Sequence, residues 1–483
     1  MSTRETGTGY TGEDPASSGI GAVVAAVRSG PRGPGIAAVL DLTALAELRS
    51  APAPRWRGPD RELLETLFDQ LRHSGESSGG DVLERGVRAA AGRTPEELTA
   101  LGERLFKRGW YDRLRPELLR VVQEHIAAGH TVVLTGDAAD FQLRPAAAAL
   151  GIPQVLGSRA AVVDGRLTGL LEGEVYGPEK AEAVSEFAAV HGIDLTRSYI
   201  YSGSASDLAL FSRGGTRVPI APDPVLAATA AEYGWATPAV GPRTAPRPAD
   251  YLRTLLGLFA LLGGALYGVL RKSHTRDRRA MADALMKYGT AWPLRLCGIR
   301  LRVTGAEHAR HPRPAVFLFN HQSQFDVLIV PAVLGGQVTG VGKKELIRHP
   351  IFGPLMRFVG VTFIDRSNTD LAKASLAPVV DTLRGGLSVA IAPEGTRSYT
   401  ALPGRFKKGA FHMARQAGVP VIPVVIRNAA EVGRRDSMIA RPGVVDVAIL
   451  PPIDIDTQDP SELDEKVAEV RQLYLDTLRD WPR

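Results

Sequence analysis

Short apolar runs alternate with amphipathic stretches along the first half of the chain. Three runs span five residues each and are bounded by turn residues: Ile36–Leu40, Thr131–Thr135 and Ser198–Ser202. The intervening segments Pro116–Ala128 and Gly177–Val190 have the apolar spacing of helices. Because strands that alternate with helices form parallel sheets, this half predicts an α/β domain with a parallel sheet over residues 35–237.

Two segments of the first half do not fit this alternation. Arg57–Leu114, between the first two predicted strands, is mostly helical in pattern, and we expect a helical cap at about residues 55–115 over the carboxyl edge of the sheet. Residues 1–34 are rich in Gly, Ser, Thr and Pro and lack the basic start and apolar stretch of a secretory signal. They are predicted to form a disordered tail.

A proline-rich segment and a long apolar run follow the first domain. Gly241–Asp250 has three prolines in ten residues, which predicts a stiff linker over residues 238–250. Thr254–Leu270 has seventeen residues without a charge, and the basic residues Arg271 and Lys272 follow it.

The apolar run has two interpretations. A single crossing needs about 20 apolar residues, so the run is at the short limit for spanning, and a helix buried in a soluble core is the alternative. The basic flank favours a membrane-associating helical segment, residues 251–290, at an anionic cytoplasmic leaflet. It is expected to be monotopic or a single short anchor on the cytoplasmic face of the cell membrane.

The second half returns to alternating strands and helices. Its strand-like runs are Ala315–Phe319, Val359–Ile364, Ser388–Ala392 and Val421–Ile426. A second α/β domain is therefore predicted over residues 291–483.

Charge separates the two halves. The formal net charge of the 483 residues is +6, with −5 on residues 1–250 and +11 on residues 251–483. A basic half attracts a bilayer surface, a phosphorylated or CoA-bearing substrate, or nucleic acid. Its Lys and Arg are scattered, without zinc-finger spacing or an aromatic RNA-binding strand, so nucleic acid is not expected as a partner. The single cysteine, Cys297, excludes an internal disulfide and favours a reducing compartment.

The densest chemical pattern is the segment 320–326, Asn-His-Gln-Ser-Gln-Phe-Asp, directly after an apolar strand. A carboxylate five residues after a histidine can fold back across a tight turn, accept from one ring nitrogen and fix the tautomer. The other nitrogen of His321 can then act as a general base toward an alcohol, with Asp326 as its orienting partner. A surface histidine bonded to a nearby aspartate is the alternative for an isolated pair.

Other strand ends show that this pair is not isolated. The segment 392–398 offers a glycine, which lets main-chain amides approach a phosphate, and Arg397, which can clamp it. Arg366 also follows a strand-like run, and Lys343 begins the segment Lys-Lys-Glu-Leu at 343–346, between the first two of these runs. Open α/β sheets place ligand-binding loops at the carboxyl ends of their strands, so we expect one anion-binding site there.

These segments resemble the motifs of the glycerophospholipid acyltransferase family, which includes bacterial 1-acyl-glycerol-3-phosphate acyltransferases. The resemblance covers about residues 290–430, with four motifs in order at 320–326, 363–366, 393–397 and 419–423. It implies that His321, oriented by Asp326, deprotonates an acceptor hydroxyl for direct attack on an acyl thioester. Neither an acyl-enzyme nor a metal or cofactor is required.

The resemblance also implies the substrates. Acyl-CoA is the expected donor, with acyl carrier protein as an alternative, and lysophosphatidic acid is the acceptor that yields phosphatidic acid. Another lysophospholipid or a glycolipid is the alternative acceptor. Lys343 and main-chain amides are candidates for meeting the thioester oxyanion. The implied substrate-binding residues are Asn320, Lys343, Arg366, Glu394, Gly395, Thr396 and Arg397.

The first half resembles the phosphoserine-phosphatase-like branch of the haloacid dehalogenase superfamily, over residues 36–235. That chemistry needs a nucleophilic Asp, an acid two residues on, a hydroxyl and a Lys for the phosphoryl oxygens, and carboxylates for Mg²⁺. The residues that match are Asp41, Thr135, Lys180 and Asp207. Thr43 stands where the acid belongs, and Gly203 stands where an Mg²⁺ aspartate belongs. A degenerate site without Mg²⁺ or turnover is therefore expected.

The sequence thus predicts a capped, Rossmann-like haloacid-dehalogenase-type domain, followed by an α/β acyltransferase domain that begins with a membrane-associating helix. The predicted function is acylation of lysophosphatidic acid at a membrane. A phosphatase anchored by the second domain is an alternative of another class, and the eroded loop at Asp41 argues against it. A non-enzymatic lipid-binding scaffold would require the His321–Asp326 pairing to be coincidental.

Overall fold

The structure, a computed structural model, describes residues 19–49, 52–75, 79–240, 246–310, 312–364, 377–400, 402–435, 437–455 and 460–482. The chain divides into two compact units, residues 1–244 and 245–483. This division falls inside the predicted proline-rich linker. Each unit has one β-sheet whose strands alternate with helices along the chain. This architecture confirms the predicted α/β fold class.

The sheet of the first unit is mostly parallel. Its strands are β1 Ala37–Asp41, β2 Thr131–Ala139, β3 Gln154–Val163, β4 Arg166–Gly173, β5 Tyr199–Ser202 and β6 Thr216–Pro219. They lie in the order β4-β3-β2-β1-β5-β6, and only the β3/β4 pair is antiparallel. Every residue of β1 is buried, as expected for a strand covered by helices on both faces.

Helices cover both faces of this sheet and form the segment predicted as a cap. They are α1 Gly19–Ser29, α2 Leu42–Leu45, α3 Arg61–Arg72, α4 Gly79–Ala89, α5 Pro95–Leu105, α6 Pro116–Ala127, α7 Asp140–Leu150, α8 Gly177–His191, α9 Leu208–Arg213 and α10 Pro224–Glu232. Helices α3 to α5 lie within residues 55–115, and a π-helical turn at Phe106–Trp110 follows α5.

Helix α1 corrects the prediction of a disordered tail for residues 19–29. Its apolar residues Ile20, Val24 and Val27 are buried, and Arg28 donates to Glu124 of α6. Their spacing of three to four residues is that of a helix with one apolar face, which the surrounding small residues obscure in the sequence.

The second unit has a seven-stranded sheet. Its strands are β7 Ile299–Thr304, β8 Val316–Phe319, β9 Val338–Lys343, β10 Thr362–Ile364, β11 Ser388–Ile391, β12 Val421–Arg427 and β13 Gly443–Ile449. They lie in the order β10-β9-β11-β8-β12-β13-β7, and only β12/β13 is antiparallel. The carboxyl ends of β8 to β12 therefore share one edge. Strand β10 begins three residues later than predicted, because residues 359–361 turn after a helix and Gly360 has a φ of +82°.

The core of the second unit lies on both faces of this sheet. Its helices are α11 Pro248–Lys272, α12 Arg278–Leu296, α13 Asp326–Leu334, α14 Phe352–Phe358, α15 Ala377–Arg384, α16 Gly409–Ala417, α17 Ala429–Val432 and α18 Pro460–Arg479. Phe317 and Ile422 belong to the apolar cluster on one face, and Val316, Leu318 and Val421 to the other. This alternation is the one that strand geometry requires.

Helices α11 and α12 pack with their backbones almost in contact. A Cβ added to Gly264 would lie 2.4 Å from the carbonyl oxygen of Tyr288, and one added to Gly268 would lie 2.4 Å from that of Ala284. Leu285 and Met286 of α12 belong to the core of the second unit. Helix α12 runs continuously through residue 290, where the predicted membrane-associating segment ends.

Candidate active site

The pair His321 and Asp326 lies at the end of the central strand β8. Asp326 is the first residue of α13, and its Oδ2 accepts from His321 Nδ1 at 2.7 Å, from the Gln322 amide at 2.8 Å and from the Ser323 amide at 2.9 Å. The side chain of Asp326 is 1% exposed, whereas that of His321 is 27% exposed. The whole turn is therefore held around one buried oxygen, next to a helix N-terminus that favours negative charge.

This geometry fixes the tautomer of the histidine. An ionised carboxylate can only accept hydrogen bonds, so Nδ1 of His321 carries a proton and Nε2 presents a lone pair. A hydroxyl that approaches the exposed side of the ring can give its proton to Nε2. The arrangement is that of a general base.

The predicted substrate-binding residue Asn320 is occupied by the main chain. Its Nδ2 donates to the Ile426 carbonyl at 2.8 Å, and its Oδ1 accepts from the Ile426 amide at 2.7 Å. The side chain is fully buried. Asn320 therefore ties the end of β8 to β12 and positions the residue that follows it.

Glu394, also predicted to bind substrate, holds the histidine turn instead. Its Oε1 accepts from the main-chain amide of His321 at 2.9 Å, and its Oε2 accepts from the Ser398 hydroxyl and from the Gly404 amide at 2.8 Å. Burial raises the pKa of Glu394, and these hydrogen bonds partly offset that rise. The carboxylate joins the loop after β11 to the turn after β8.

The remaining residues of that loop present a glycine and an arginine. Gly395 has a φ of +74°, and a Cβ there would lie 3.1 Å from Nζ of Lys407, so the position favours glycine. Thr396 is exposed. Arg397 donates from Nη1 to the Arg435 carbonyl at 2.5 Å, and Arg435 Nε donates to the Arg397 carbonyl at 3.0 Å.

The sequence did not single out Arg435. This residue follows Gly433, which packs against the turn at residues 321–326. Ser323 Oγ donates to the Gly433 carbonyl at 2.6 Å, and a Cβ on Gly433 would lie 2.1 Å from the Phe325 ring. The guanidinium of Arg435 lies 3.6 Å from the centre of the Tyr399 ring. The signal in the sequence for Arg435 was the pair of adjacent arginines at 434–435, after β12.

Two predicted residues cannot be placed fully. Lys343 is the last residue of β9, at the same sheet edge, but its side chain lies outside the described residues. Arg366 lies outside them altogether. Their roles stay predictions.

In the first unit, three carboxylates converge on one lysine. Nζ of Lys180 lies 2.8 Å from Asp41, 2.8 Å from Asp137 and 2.7 Å from Asp207, and the side chains of all four residues are at most 3% exposed. Asp137 was not predicted, although an acidic residue two positions after the matched Thr135 was its signal. Burial opposes the charge of Lys180, but the three carboxylates outweigh it and raise its pKa well above the ordinary value.

Hydroxyl groups occupy the other carboxylate oxygens of Asp41 and Asp207, and the Gly75 amide donates to that of Asp137 at 2.7 Å. Thr43 Oγ1 donates to Asp41 Oδ1 at 2.5 Å, and Ser202 Oγ donates to Asp207 Oδ2 at 2.5 Å. The Gly203 amide donates to Thr43 Oγ1 at 3.0 Å. Thr135, predicted to face phosphoryl oxygens, donates instead to the Leu156 carbonyl at 2.8 Å.

Comparison with known proteins separates the two units in the same way. The sequence model of the acyltransferase family matches residues 300–427, and that of haloacid dehalogenase-like hydrolases matches residues 38–212. The 1-acyl-sn-glycerol-3-phosphate acyltransferase of Saccharomyces cerevisiae is 31% identical over 245 residues, which are 48% of this chain and 78% of the yeast protein. The chain belongs to the 1-acyl-sn-glycerol-3-phosphate acyltransferase family.

Other relatives are matched over less of their length. The human 1-acyl-sn-glycerol-3-phosphate acyltransferase alpha is 34% identical over 186 residues, which are 38% of this chain and 66% of that protein. Among solved structures, the lysophosphatidic acid acyltransferase PlsC of Thermotoga maritima has a TM-score of 0.41 and 23% identity, over 49% of this chain and 98% of its own. A phosphoserine phosphatase has a TM-score of 0.30 and 17% identity, over 41% of this chain and 91% of its own.

The haloacid dehalogenase resemblance implies a Mg²⁺ site in the first unit, and the residues present do not fit one. The Lys180 ammonium lies within hydrogen-bond distance of all three carboxylates, where it repels a second cation. At Gly203 a Cβ would lie 2.7 Å from the Ile220 carbonyl oxygen, so a carboxylate side chain there would require a shift. No chemical step is therefore assigned to a metal.

Glu394→Gln should lower kcat at least about tenfold with little change in acceptor KM. The glutamine side chain places an N–H donor opposite groups that themselves donate. This mismatch costs about 1–3 kcal/mol of stability and loosens the turn at residues 321–326. Steady-state kinetics in both substrates and thermal unfolding measure the two effects. Glu462→Gln, an exposed carboxylate on α18, is the control. A raised acceptor KM with unchanged kcat would place Glu394 at the substrate.

Asp207 should make the first unit less stable as pH rises. Burial, with the charge of Asp41, raises the pKa of Asp207 from 3.8 to about 7. The folded state therefore binds this proton more tightly, and its stabilising contribution is present below about pH 4 and lost as pH rises through about 7. His125 acts in the opposite sense, because burial lowers its pKa to about 3.

Comparison with Asp207→Asn isolates the aspartate from His125. Hydrogen exchange of peptides from β1 and β5, measured in the full chain, should show protection falling between pH 5 and pH 8 more steeply in the wild type than in the variant. If protection changed with pH equally in the wild type and in Asp207→Asn, the raised pKa of Asp207 would be contradicted.

Proposed function

We propose that this protein transfers a fatty acyl group from acyl-CoA to the free hydroxyl of lysophosphatidic acid, which gives phosphatidic acid. The observation that carries the proposal is the 2.7 Å contact between His321 Nδ1 and buried Asp326, which leaves Nε2 as the base. Relatives named as 1-acyl-sn-glycerol-3-phosphate acyltransferases support the acceptor. Acyl carrier protein is the alternative donor.

The reaction is a direct acyl transfer. Nε2 of His321 takes the proton of the acceptor hydroxyl while the hydroxyl oxygen attacks the thioester carbonyl carbon. The tetrahedral intermediate then collapses, the carbon–sulfur bond breaks, and the leaving thiolate takes the proton from the imidazolium. Asp326 stabilises that imidazolium through Nδ1, so no covalent enzyme intermediate is needed.

Arg397 is proposed to hold the acceptor phosphate. It precedes Ser398, whose amide donates to the His321 carbonyl at 2.7 Å, so the arginine and the base sit on directly bonded loops. A guanidinium can grip a phosphate through two charge-assisted hydrogen bonds. Arg366 is its predicted partner.

The first unit is proposed to have no Mg²⁺-dependent phosphatase activity. The Lys180 ammonium offsets one negative charge of the carboxylates that the metal would need and occupies an oxygen of each, and Thr43 has no acidic proton to give a leaving group. Both features support a structural or ligand-binding role for this unit.

The membrane-facing element is proposed to be the exposed side of α11 and α12. The segment Pro248–Thr275 has the length and composition that a crossing requires, and a third of its most apolar window is buried. Gly264 and Gly268 face α12, and most of the large side chains face outward. The exposed apolar residues are Tyr251, Leu252, Leu255, Leu256, Phe259, Leu262, Leu266, Tyr267 and Leu270, joined by Trp292 and Leu296 of α12.

A monotopic position at the cytoplasmic face suits this pair better than a crossing. Ala265 of α11 and Leu285 of α12 belong to the core of the catalytic unit, so α11 cannot leave that core to span a bilayer alone. Exposed basic residues at its end, Arg271 and Lys272, add electrostatic attraction to anionic lipid.

An acceptor panel tests the activity. With oleoyl-CoA, the full chain should acylate lysophosphatidic acid in preference to monoacylglycerol and lysophosphatidylcholine, and His321→Ala should lose about 10²–10⁴ in kcat. Arg397→Gln should raise KM for lysophosphatidic acid more than about tenfold and leave KM for monoacylglycerol unchanged.

The controls separate the acceptor from the reaction class. Arg302→Gln, an exposed arginine on β7, should change neither constant. Preference for another lysophospholipid would keep acyl transfer and refute the acceptor, whereas a fully active His321→Ala would refute the base.

The triple variant Leu255→Gln/Phe259→Gln/Leu266→Gln should bind vesicles at least about 100-fold more weakly. Each side chain is more than half exposed, and burying one in lipid contributes about 1.5–3 kcal/mol. Sedimentation with phosphatidylcholine vesicles containing phosphatidylglycerol measures the partition. Val190→Gln/Val225→Gln, at exposed positions of the first unit, is the control. Unchanged partition of the triple variant would place the anchor elsewhere.

A further inference from the structure

A tyrosine from the last helix lies between two strands of the catalytic sheet. Tyr474 of α18 is completely buried. Its hydroxyl donates to the Leu318 carbonyl of β8 at 2.6 Å and accepts from the Val424 amide of β12 at 3.2 Å. The hydroxyl is thus the bridge between one carbonyl and one amide of neighbouring strands.

The strand register shows which rung of the ladder this bridge joins. Leu318 is paired with Pro423, and Phe319 with Val424. In a parallel ladder of this register, the Val424 amide is the donor that faces the Leu318 carbonyl. The tyrosine hydroxyl takes part in that rung. Two residues further on, the side chain of Asn320 makes both bonds to Ile426. Side chains therefore contribute to holding the last part of β8 against β12.

We propose that Tyr474 is a positioning residue for His321, which sets the direction in which β8 ends and so the place of the general base. The proposal rests on the proposed acyl transfer. Leu318 precedes His321 by three residues, and between them stands Asn320, which is itself pinned to β12. A change at the Leu318 carbonyl must therefore be taken up at the histidine turn.

The tyrosine also reaches the other wall of the site. Its ring meets that of Phe406 edge to face, with centroids 5.1 Å apart. The next residue, Lys407, donates its amide to the Pro393 carbonyl at 2.8 Å, directly before Glu394. Burial raises the pKa of the Tyr474 hydroxyl well above its ordinary value, so the hydroxyl remains a donor at the pH of any assay. Tyr474 thus supports the end of β8, which carries His321, and the loop after β11, which carries Glu394.

Tyr474→Phe in the full chain tests this role, because it removes the hydroxyl and keeps the ring. We expect kcat to fall about 10- to 100-fold, with KM for oleoyl-CoA and for lysophosphatidic acid within about twofold of wild type. The Hε1 proton signal of His321, assigned by its loss in His321→Ala, should also move in the NMR spectrum of ¹³C-histidine-labelled protein. The control is Thr477→Val, which removes a buried hydroxyl that bonds within α18, to the Leu473 carbonyl at 2.7 Å.

The outcomes separate the two proposals. An unchanged kcat and an unchanged His321 signal in folded Tyr474→Phe overturn the positioning role, as does an equal kcat loss in Thr477→Val. If the wild type acylates no acceptor, the proposed function fails, and the His321 signal still decides the positioning role. If Tyr474→Phe does not fold, 3-fluorotyrosine at position 474 keeps both hydrogen bonds and changes their strength. A shifted His321 signal then supports the proposal, and an unshifted one overturns it.

Discussion

A single buried oxygen, Oδ2 of Asp326, determines the shape of the catalytic turn. A carboxylate removed from water is costly unless hydrogen bonds replace its hydration, and here one ring nitrogen and two successive main-chain amides do so. The two amides can reach the same oxygen only if the chain folds back directly after β8. The four residues between His321 and Asp326 form this turn.

Other buried polar groups extend the same constraint outward. Asn320, Glu394 and Tyr474 each bond to the main chain of a neighbouring strand or loop, and none is left to solvent. Buried polar groups need partners of the correct geometry, so each of them specifies a position for the segment that it contacts. His321 is in this way fixed from β12, from the loop after β11 and from α18, although its own ring remains partly exposed. A general base needs this combination of a fixed ring and an open nitrogen.

The sequence was sufficient for the features that depend on local pattern. Apolar runs located most of the catalytic strands to within one or two residues, and the spacing of His321 and Asp326 predicted their contact. The sequence was insufficient where one residue type can either bind a substrate or hold the main chain. Asn320 and Glu394 stand in motifs that bind substrate by resemblance, but each also bonds to a main-chain group more than 70 residues away, at Ile426 and His321. Tyr474 gave no pattern, because only the tertiary fold brings it to the site, and the one signal for Asp137 was its position two residues after Thr135. The sequence allowed two interpretations of the apolar run at 254–270, a membrane-associating segment or a helix buried in a soluble core. In the structure one face of this helix is buried against α12 and the other is exposed.

The two units show why similar groups lead to different chemistry. In the first unit Asp41 and Asp207 have both oxygens bonded, to Lys180 and to the hydroxyls of Thr43 and Ser202. Every member of that cluster is buried, and its cation is tethered to the chain, so an incoming phosphate would have to displace internal bonds and would find no mobile positive charge. In the second unit the carboxylate is equally buried, but its partner is an imidazole that remains 27% exposed. The aspartate therefore polarises a group that solvent and substrate can reach. The two sites therefore differ in the access that solvent has to one atom of the pair, and the roles proposed for the two units rest on this difference.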